Sequence, residues 1–143
     1  ESLKLEVLDV LDKKTGIGRI CYTSTTMEDF IQKITNSLPV HHINMINSPP
    51  QKTVEKIGLV AGFGLSNSEY IKLAQDNHVD LFLSGDMIHE TALLARYLGV
   101  SVLDATHYAT EIPGIIKLCK LVSDLVMETQ LIQSKVPWDT IKL

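Results

Sequence analysis

The stretch IGLVAGFGLSNSEYIKLAQDNHVDLFLSGD, residues 57–86, reads as strand, glycine-bearing loop, helix, strand and loop in turn. Ile57 to Ala61 is an apolar run of strand length, and Gly62-Phe63-Gly64-Leu65 is the loop that follows it. Ser66 with Glu69 three positions later forms a capping box, opening a helix expected to end near Asn77. Asp80 to Ser84 is a short, nearly all-apolar strand, with Gly85-Asp86 as its exit loop. The order then repeats. Met87 to Leu98 places Ala92, Leu93, Leu94, Ala95 and Leu98 on a helical face with Gly99 as the stop, and Ser101 to Asp104 gives a third strand. Strands alternating with helix-period segments predict βαβ units, so the expected fold is α/β, three layers in the order α/β/α, around a mostly parallel or mixed sheet.

Downstream, Ala105 to Glu111 reads as a loop, with Pro113 in the first turn of a helix running to about Glu128. Its apolar face holds Ile115, Leu118, Leu121, Val122 and Leu125. Upstream, Thr25 with Glu28 opens a helix from Met27 to about Ser37, flanked by strands at Ile17 to Tyr22 and Val40 to Ile46. Asn47 to Thr53, with Pro49-Pro50, is a loop, and Lys135 to Leu143 is assigned as an edge strand.

A chain of 143 residues suits one core rather than two. The net charge of −4, with Lys and Arg scattered, leaves no basic surface for phosphates and argues against nucleic-acid binding. Apolar runs stop well short of the roughly 18 residues a membrane span needs. Cys21 and Cys119 are too few for a disulfide framework, which fits a reducing, cytoplasmic setting. The chain opens on Glu1 and an apolar run, Leu3, Leu5, Val7, Leu8, Val10 and Leu11, with no cap before it, as a fragment of a longer protein would.

In an open parallel sheet, ligands bind where loops leave the carboxyl ends of the strands. Those loops carry Gly62 and Gly64, then Asp86 with His89 one turn along, then His107, Tyr108 and Glu111. An imidazole and a carboxylate four positions apart can converge on one divalent cation, and Asp104 and Asp86 are the further donors available within the chain. By spacing alone the pair equally suits a surface helix pair or a capping arrangement. Asp86 equally suits a helix cap, and the glycine loop lacks both a third dinucleotide-type glycine and a phosphate-loop lysine. His41-His42 could share an ion only if its strand ended there, His78 falls in a solvated turn, and no serine sits in a nucleophile elbow.

Taken together, Val60-Ala61-Gly62-Phe63-Gly64, Leu83-Ser84-Gly85-Asp86-Met87-Ile88-His89 and above all Asp104-Ala105-Thr106-His107-Tyr108-Ala109-Thr110-Glu111 resemble the Nif-like dinuclear-metal-centre family, also labelled type 2 GTP cyclohydrolase I. The resemblance runs from about Gly16 to the end and corresponds to that family's C-terminal part. It implies that His107 and Glu111 are metal ligands, with Glu111 bridging two divalent ions (zinc, iron, manganese or nickel), and that Asp86 and His89 line the same cleft. Asp86, His89 or Tyr108 would then orient water or substrate. The family normally writes a glycine where this chain has Thr106, which tightens the loop but leaves both donors in place. It also carries a His-His-Pro motif and an aspartate in an N-terminal half that has no counterpart here; His41-His42 is followed by Ile43.

The implied fold is the C-terminal repeat of an intertwined two-lobe protein assembled as a homohexamer. About a hundred residues, a rough figure from domain sizes, would precede this chain and supply the remaining ligands, and residues 1–22 would be an arm packing with that lobe. The implied activity is metal-dependent hydrolysis of a small molecule, a nucleotide or phosphoester. Alternatives are a non-catalytic metal-holding scaffold, and a metal-free domain in which His107 and Glu111 pair with each other.

Overall fold

The computed structural model describes residues 2–125 and 128–133. Its six-stranded mixed sheet is built from β1 (Glu6–Val10), β2 (Arg19–Thr26), β3 (Asn44–Ile46), β4 (Thr53–Leu59), β5 (Leu81–Ser84) and β6 (Val102–Asp104). Four helices join them, namely α1 (Met27–Ser37), α2 (Glu69–Asp76), α3 (His89–Leu98) and α4 (His107–Asp124). The strand order is β1-β2-β4-β5-β6-β3. The central strands β4, β5 and β6 are parallel, in register through Leu59, Leu83 and Leu103, while β1, β2 and β3 pair antiparallel.

Side chains alternate across this sheet with the period of two that a strand imposes. Leu81, Leu83 and Leu103 point to one side, where Met27, Phe30 and Ile34 of α1 and Ala109 of α4 cover them. Phe82 and Val102 point to the other, against Tyr70, Ile71 and Ala74 of α2 and Ala95 of α3. Strands bearing apolar residues on both faces need helices on both, and the three-layer α/β/α architecture follows.

Several boundaries differ from the sequence expectation, each for a local reason. The first capping box forms one residue late, because Thr26 Oγ1 accepts the Asp29 N–H and donates to the Asp29 carboxylate. Ser66 caps nothing: its hydroxyl donates to the Phe63 carbonyl within a 3₁₀ turn, Gly64–Ser66, and α2 begins at Glu69, whose N–H is taken by Asn67 Oδ1. Strand β2 runs to Thr26, well past Tyr22, whereas β3 keeps only the last three residues of its expected run. Leu93 lies off the buried face of α3, which is set by Thr91 and Ala95.

The largest change concerns α4. It starts at His107 rather than near Pro113, because the Thr106 carbonyl already accepts the Thr110 N–H and Pro113 is carried inside the helix. The apolar face expected on it is there but uncovered. Ile115, Leu118, Leu121 and Leu125 are all exposed. The expected edge strand at 135–143 lies outside the described residues.

At the amino ends of the central strands, opposite the site, Lys52 Nζ donates to the Asp80 carbonyl at 2.8 Å and to Ser101 Oγ at 2.6 Å. This clip ties the β3–β4 loop to the starts of β5 and β6.

Candidate metal centre

Three loops leave the carboxyl ends of β4, β5 and β6 side by side. Asp104, the last residue of β6 and buried, holds two of them in place. Its Oδ1 accepts the Thr106 N–H at 2.9 Å, and its Oδ2 accepts the Met87 N–H at 3.3 Å and the Asn44 amide at 3.4 Å. Raised by the sequence as a further ligand, Asp104 instead anchors backbone.

The chain that Asp104 anchors turns sharply into α4. Thr106 sits at φ 68°, ψ 153°, a region of backbone space occupied almost only by glycine. Such a conformation costs on the order of 1–3 kcal/mol in a residue with a Cβ. The hydroxyl of Thr106 gains no hydrogen bond in return among the described residues. Thr106→Gly is therefore expected to stabilise the fold by roughly 1 kcal/mol net of glycine's greater freedom when unfolded, raising Tm by about 2–4 °C. A thermal melt showing no gain would mean that the strain is absent.

This turn delivers His107 and Glu111 to the first helical turn of α4, one above the other. His107 Nε2 lies 3.1 Å from Glu111 Oε2, and His107 Nδ1 lies 2.6 Å from Asp86 Oδ2. Asp86 reaches the ring from the β5–α3 loop with φ 60°, a left-handed conformation that aspartate tolerates better than most residues. All three side chains are roughly two-fifths exposed, so the pair faces outward, accessible to a ligand.

Two carboxylates around one imidazole hold its pKa above the ordinary value of 6.5, chiefly through the hydrogen bond to Asp86, with the charge of both acids adding and partial burial opposing. A raised histidine pKa stabilises the folded state below the unfolded value, and that contribution disappears as the pH climbs through the folded value. In metal-free protein, an NMR titration of His107 is expected to give a midpoint above 6.5, and Asp86→Asn to bring it down. A midpoint that ignores the substitution would contradict the Asp86 contact. A cation needs the neutral ring, so its affinity should increase across the same pH range.

The β4–α2 loop closes the third side. Gly62, at φ 73°, passes so close that a Cβ there would stand 2.4 Å from Glu111 Oε1 and 3.1 Å from His107 Nε2. Its N–H donates to Thr110 Oγ1 at 2.8 Å. The next residue, Phe63, is steadied by an edge-on contact with the Tyr70 ring, 5.9 Å between centroids. Gly85 makes an equally close approach, against the backbone of Thr106 and His107.

Of the residues singled out by sequence, His107, Glu111 and Asp86 are thus brought together. His89 is exposed at the first position of α3, and no hydrogen bond joins it to the other three; Tyr108 is half-buried beside His107. His41 and His42 are exposed in the loop before β3, and His78 is exposed at a left-handed turn. Among the described residues, no three His, Cys, Asp or Glu groups converge to form a metal cage. The roles of Thr110 and Gly85 escaped the sequence reading, which had Gly85 only as a loop residue and Thr110 only as part of the segment between the two donors.

The chemistry of the pair fits a cation. An imidazole whose Nδ1 is held by a carboxylate presents Nε2 as a donor, and Glu111 adds carboxylate oxygens beside it. Two donor groups make only part of a coordination shell.

These features define an α/β protein with a histidine and two carboxylates grouped at the carboxyl edge of its sheet. The sequence model of the Duf34/NIF3 (NGG1p interacting factor 3) family matches residues 1–137, and the chain belongs to that family. It is 33% identical over 138 residues to the GTP cyclohydrolase 1 type 2 homolog of Methanothermobacter thermautotrophicus, covering 96% of this chain and 58% of that one. Among solved structures it resembles reduced HcgD from Methanocaldococcus jannaschii, with TM-score 0.74 and 29% identity over 86% of this chain and 48% of that one. It shares its fold with a Bacillus cereus protein related to NIF3, with TM-score 0.68 and 21% identity over 87% of this chain and 35% of that one. The chain therefore spans between about a third and three-fifths of the length of these three proteins.

Proposed function

We propose that this chain supplies part of a two-ion site and that the complete protein is a metal-dependent hydrolase acting on a small molecule, a nucleotide or phosphoester. The observation carrying the proposal is the orientation of His107: Asp86 holds Nδ1 at 2.6 Å, which leaves Nε2 directed at Glu111. A histidine oriented through its second nitrogen by a carboxylate is the usual arrangement of a metal-binding imidazole. The names of relatives as cyclohydrolase homologues favour hydrolysis.

His107 and Glu111 would hold the ions, zinc, iron, manganese or nickel. When bound, such ions supply a nucleophilic water at neutral pH and positive charge against a developing oxyanion. Asp86 fixes the imidazole tautomer, and Gly62 leaves room for the carboxylate while shielding one side of the pair. His89 and Tyr108, at the rim, would orient substrate.

Because the donor set is partial, the remaining ligands are assigned to a preceding segment of the same protein, in a homo-oligomer, which we take to be a hexamer. The uncovered apolar face of α4 fits such an assembly. The free thiols of Cys21 and Cys119 suit a cytoplasmic setting, and no helix among the described residues is long and apolar enough to cross a membrane.

The test is an anomalous-scattering map of full-length protein soaked in zinc or manganese, paired with turnover on a nucleotide and phosphoester panel. Expected are peaks at coordination distance, about 2.0–2.2 Å, from His107 Nε2 and Glu111, and metal-dependent turnover. No peak would sink the metal reading in favour of a metal-free histidine–glutamate pair. Peaks without turnover would favour a metal-holding scaffold, a reading that the family's description as an interacting factor supports.

A further inference from the structure

We infer that Thr110 is a positioning residue for the His107–Glu111 pair and acts through Gly62. The inference rests on reading that pair as a cation site. Thr110 lies on α4 between the two donors, half-buried, and its hydroxyl meets the β4–α2 loop. Its Oγ accepts the Gly62 N–H at 2.8 Å, while its single proton goes to the Thr106 carbonyl at 2.9 Å or the His107 carbonyl at 3.0 Å. One hydroxyl thereby joins the glycine loop to the turn that starts α4.

The consequence is geometric. Gly62 is the surface against which the Glu111 carboxylate rests, with less than a methyl group's clearance. Wherever the Gly62 backbone sits, the carboxylate must adjust, and the hydrogen bond from the Gly62 N–H to Thr110 Oγ holds that backbone in place. Without the hydroxyl, the buried Gly62 N–H loses its acceptor and the loop is no longer held to the helix. Outer groups that fix a ligand's orientation in this way typically affect metal affinity ten- to a hundredfold.

The test uses full-length protein carrying Thr110→Val, which keeps the shape and removes the hydroxyl, and Thr110→Ser, which restores it. Thr110→Ala replaces the valine variant should that one not fold. A control, Lys52→Met, breaks the clip at the opposite edge of the sheet and calibrates what loss of stability alone does. Two readouts are compared: zinc affinity by chelator competition, and the position of Gly62 relative to Glu111 in metal-free crystals.

The valine variant is expected to bind zinc at least about tenfold more weakly, with Gly62 displaced. The serine variant and the lysine control should keep both properties. Unchanged affinity and geometry in the valine variant, or an equal loss of affinity in the lysine control, overturns the role. Wild-type protein that binds no zinc defeats the metal reading instead, and the metal-free crystals then decide whether Thr110 positions the pair.

Discussion

Glu111→Ala in the full-length protein is expected to leave the fold intact and to weaken zinc or manganese binding by about a hundredfold or more, beyond the ten- to hundredfold seen for groups that only orient a ligand. The side chain is nearly half exposed, and its close polar partner among the described residues is His107 Nε2. Truncating it leaves no buried charge unpaired and creates no cavity, so Tm should move by no more than a degree or two. The combination of a silent melt and a lost ion separates a ligand from a structural acid. Isothermal titration with zinc, alongside differential scanning calorimetry, measures both. Retained affinity would show that the carboxylate's approach to Nε2 is only a helix-surface pair, worth a few tenths of a kcal/mol.

The order of strands and helices between Ile57 and Asp104 is written in local patterns, apolar runs alternating with helix-period segments, and those patterns survive folding because tertiary packing agrees with them. Parallel strands then bring their exit loops to one edge, so Asp86, His107 and Glu111 could be grouped before any distance was known. What the sequence could not convey is how closely the loops approach. Nothing local marks Gly85 as lying against the backbone of His107, and only the glycine that the resembled family writes at this position hints at the glycine-like conformation of Thr106; both depend on where β5 and β6 end relative to each other.

Helix α4 misled the sequence reading for a different reason. Proline is favoured in a first turn, which drew the expected start toward Pro113, but the helix begins where Asp104 and the Thr106 turn release the chain. Its apolar stripe obeys helical periodicity without being buried, because periodicity reports what a helix can cover and not whether the cover is present.

Gly85→Ala is the substitution expected to damage the fold most. A Cβ at this position would lie 2.5 Å from the His107 nitrogen, 2.6 Å from the Thr106 carbonyl carbon and 2.8 Å from the Gly62 oxygen. All three are backbone atoms, from the two loops flanking Gly85, so no side chain can rotate away. Relief requires the loops to separate. That would strain the hydrogen bond from the Leu65 N–H to the Gly85 carbonyl and the approach of Asp86 to His107. Overpacking against side chains usually costs about 1–3 kcal/mol, and against rigid backbone the upper end or more is expected, about 3 kcal/mol. In a chain of this size that lowers Tm by roughly 10 °C. Gly114→Ala provides the contrast. Its Cβ would meet nothing within 4 Å inside α4, so alanine should raise stability by about 0.5–1 kcal/mol. Melts of the two variants side by side distinguish a steric requirement from a general sensitivity to losing glycine. A Gly85→Ala protein as stable as wild type would show that the three loops do not close on one another, and with them would go the geometry that seats His107 between two carboxylates.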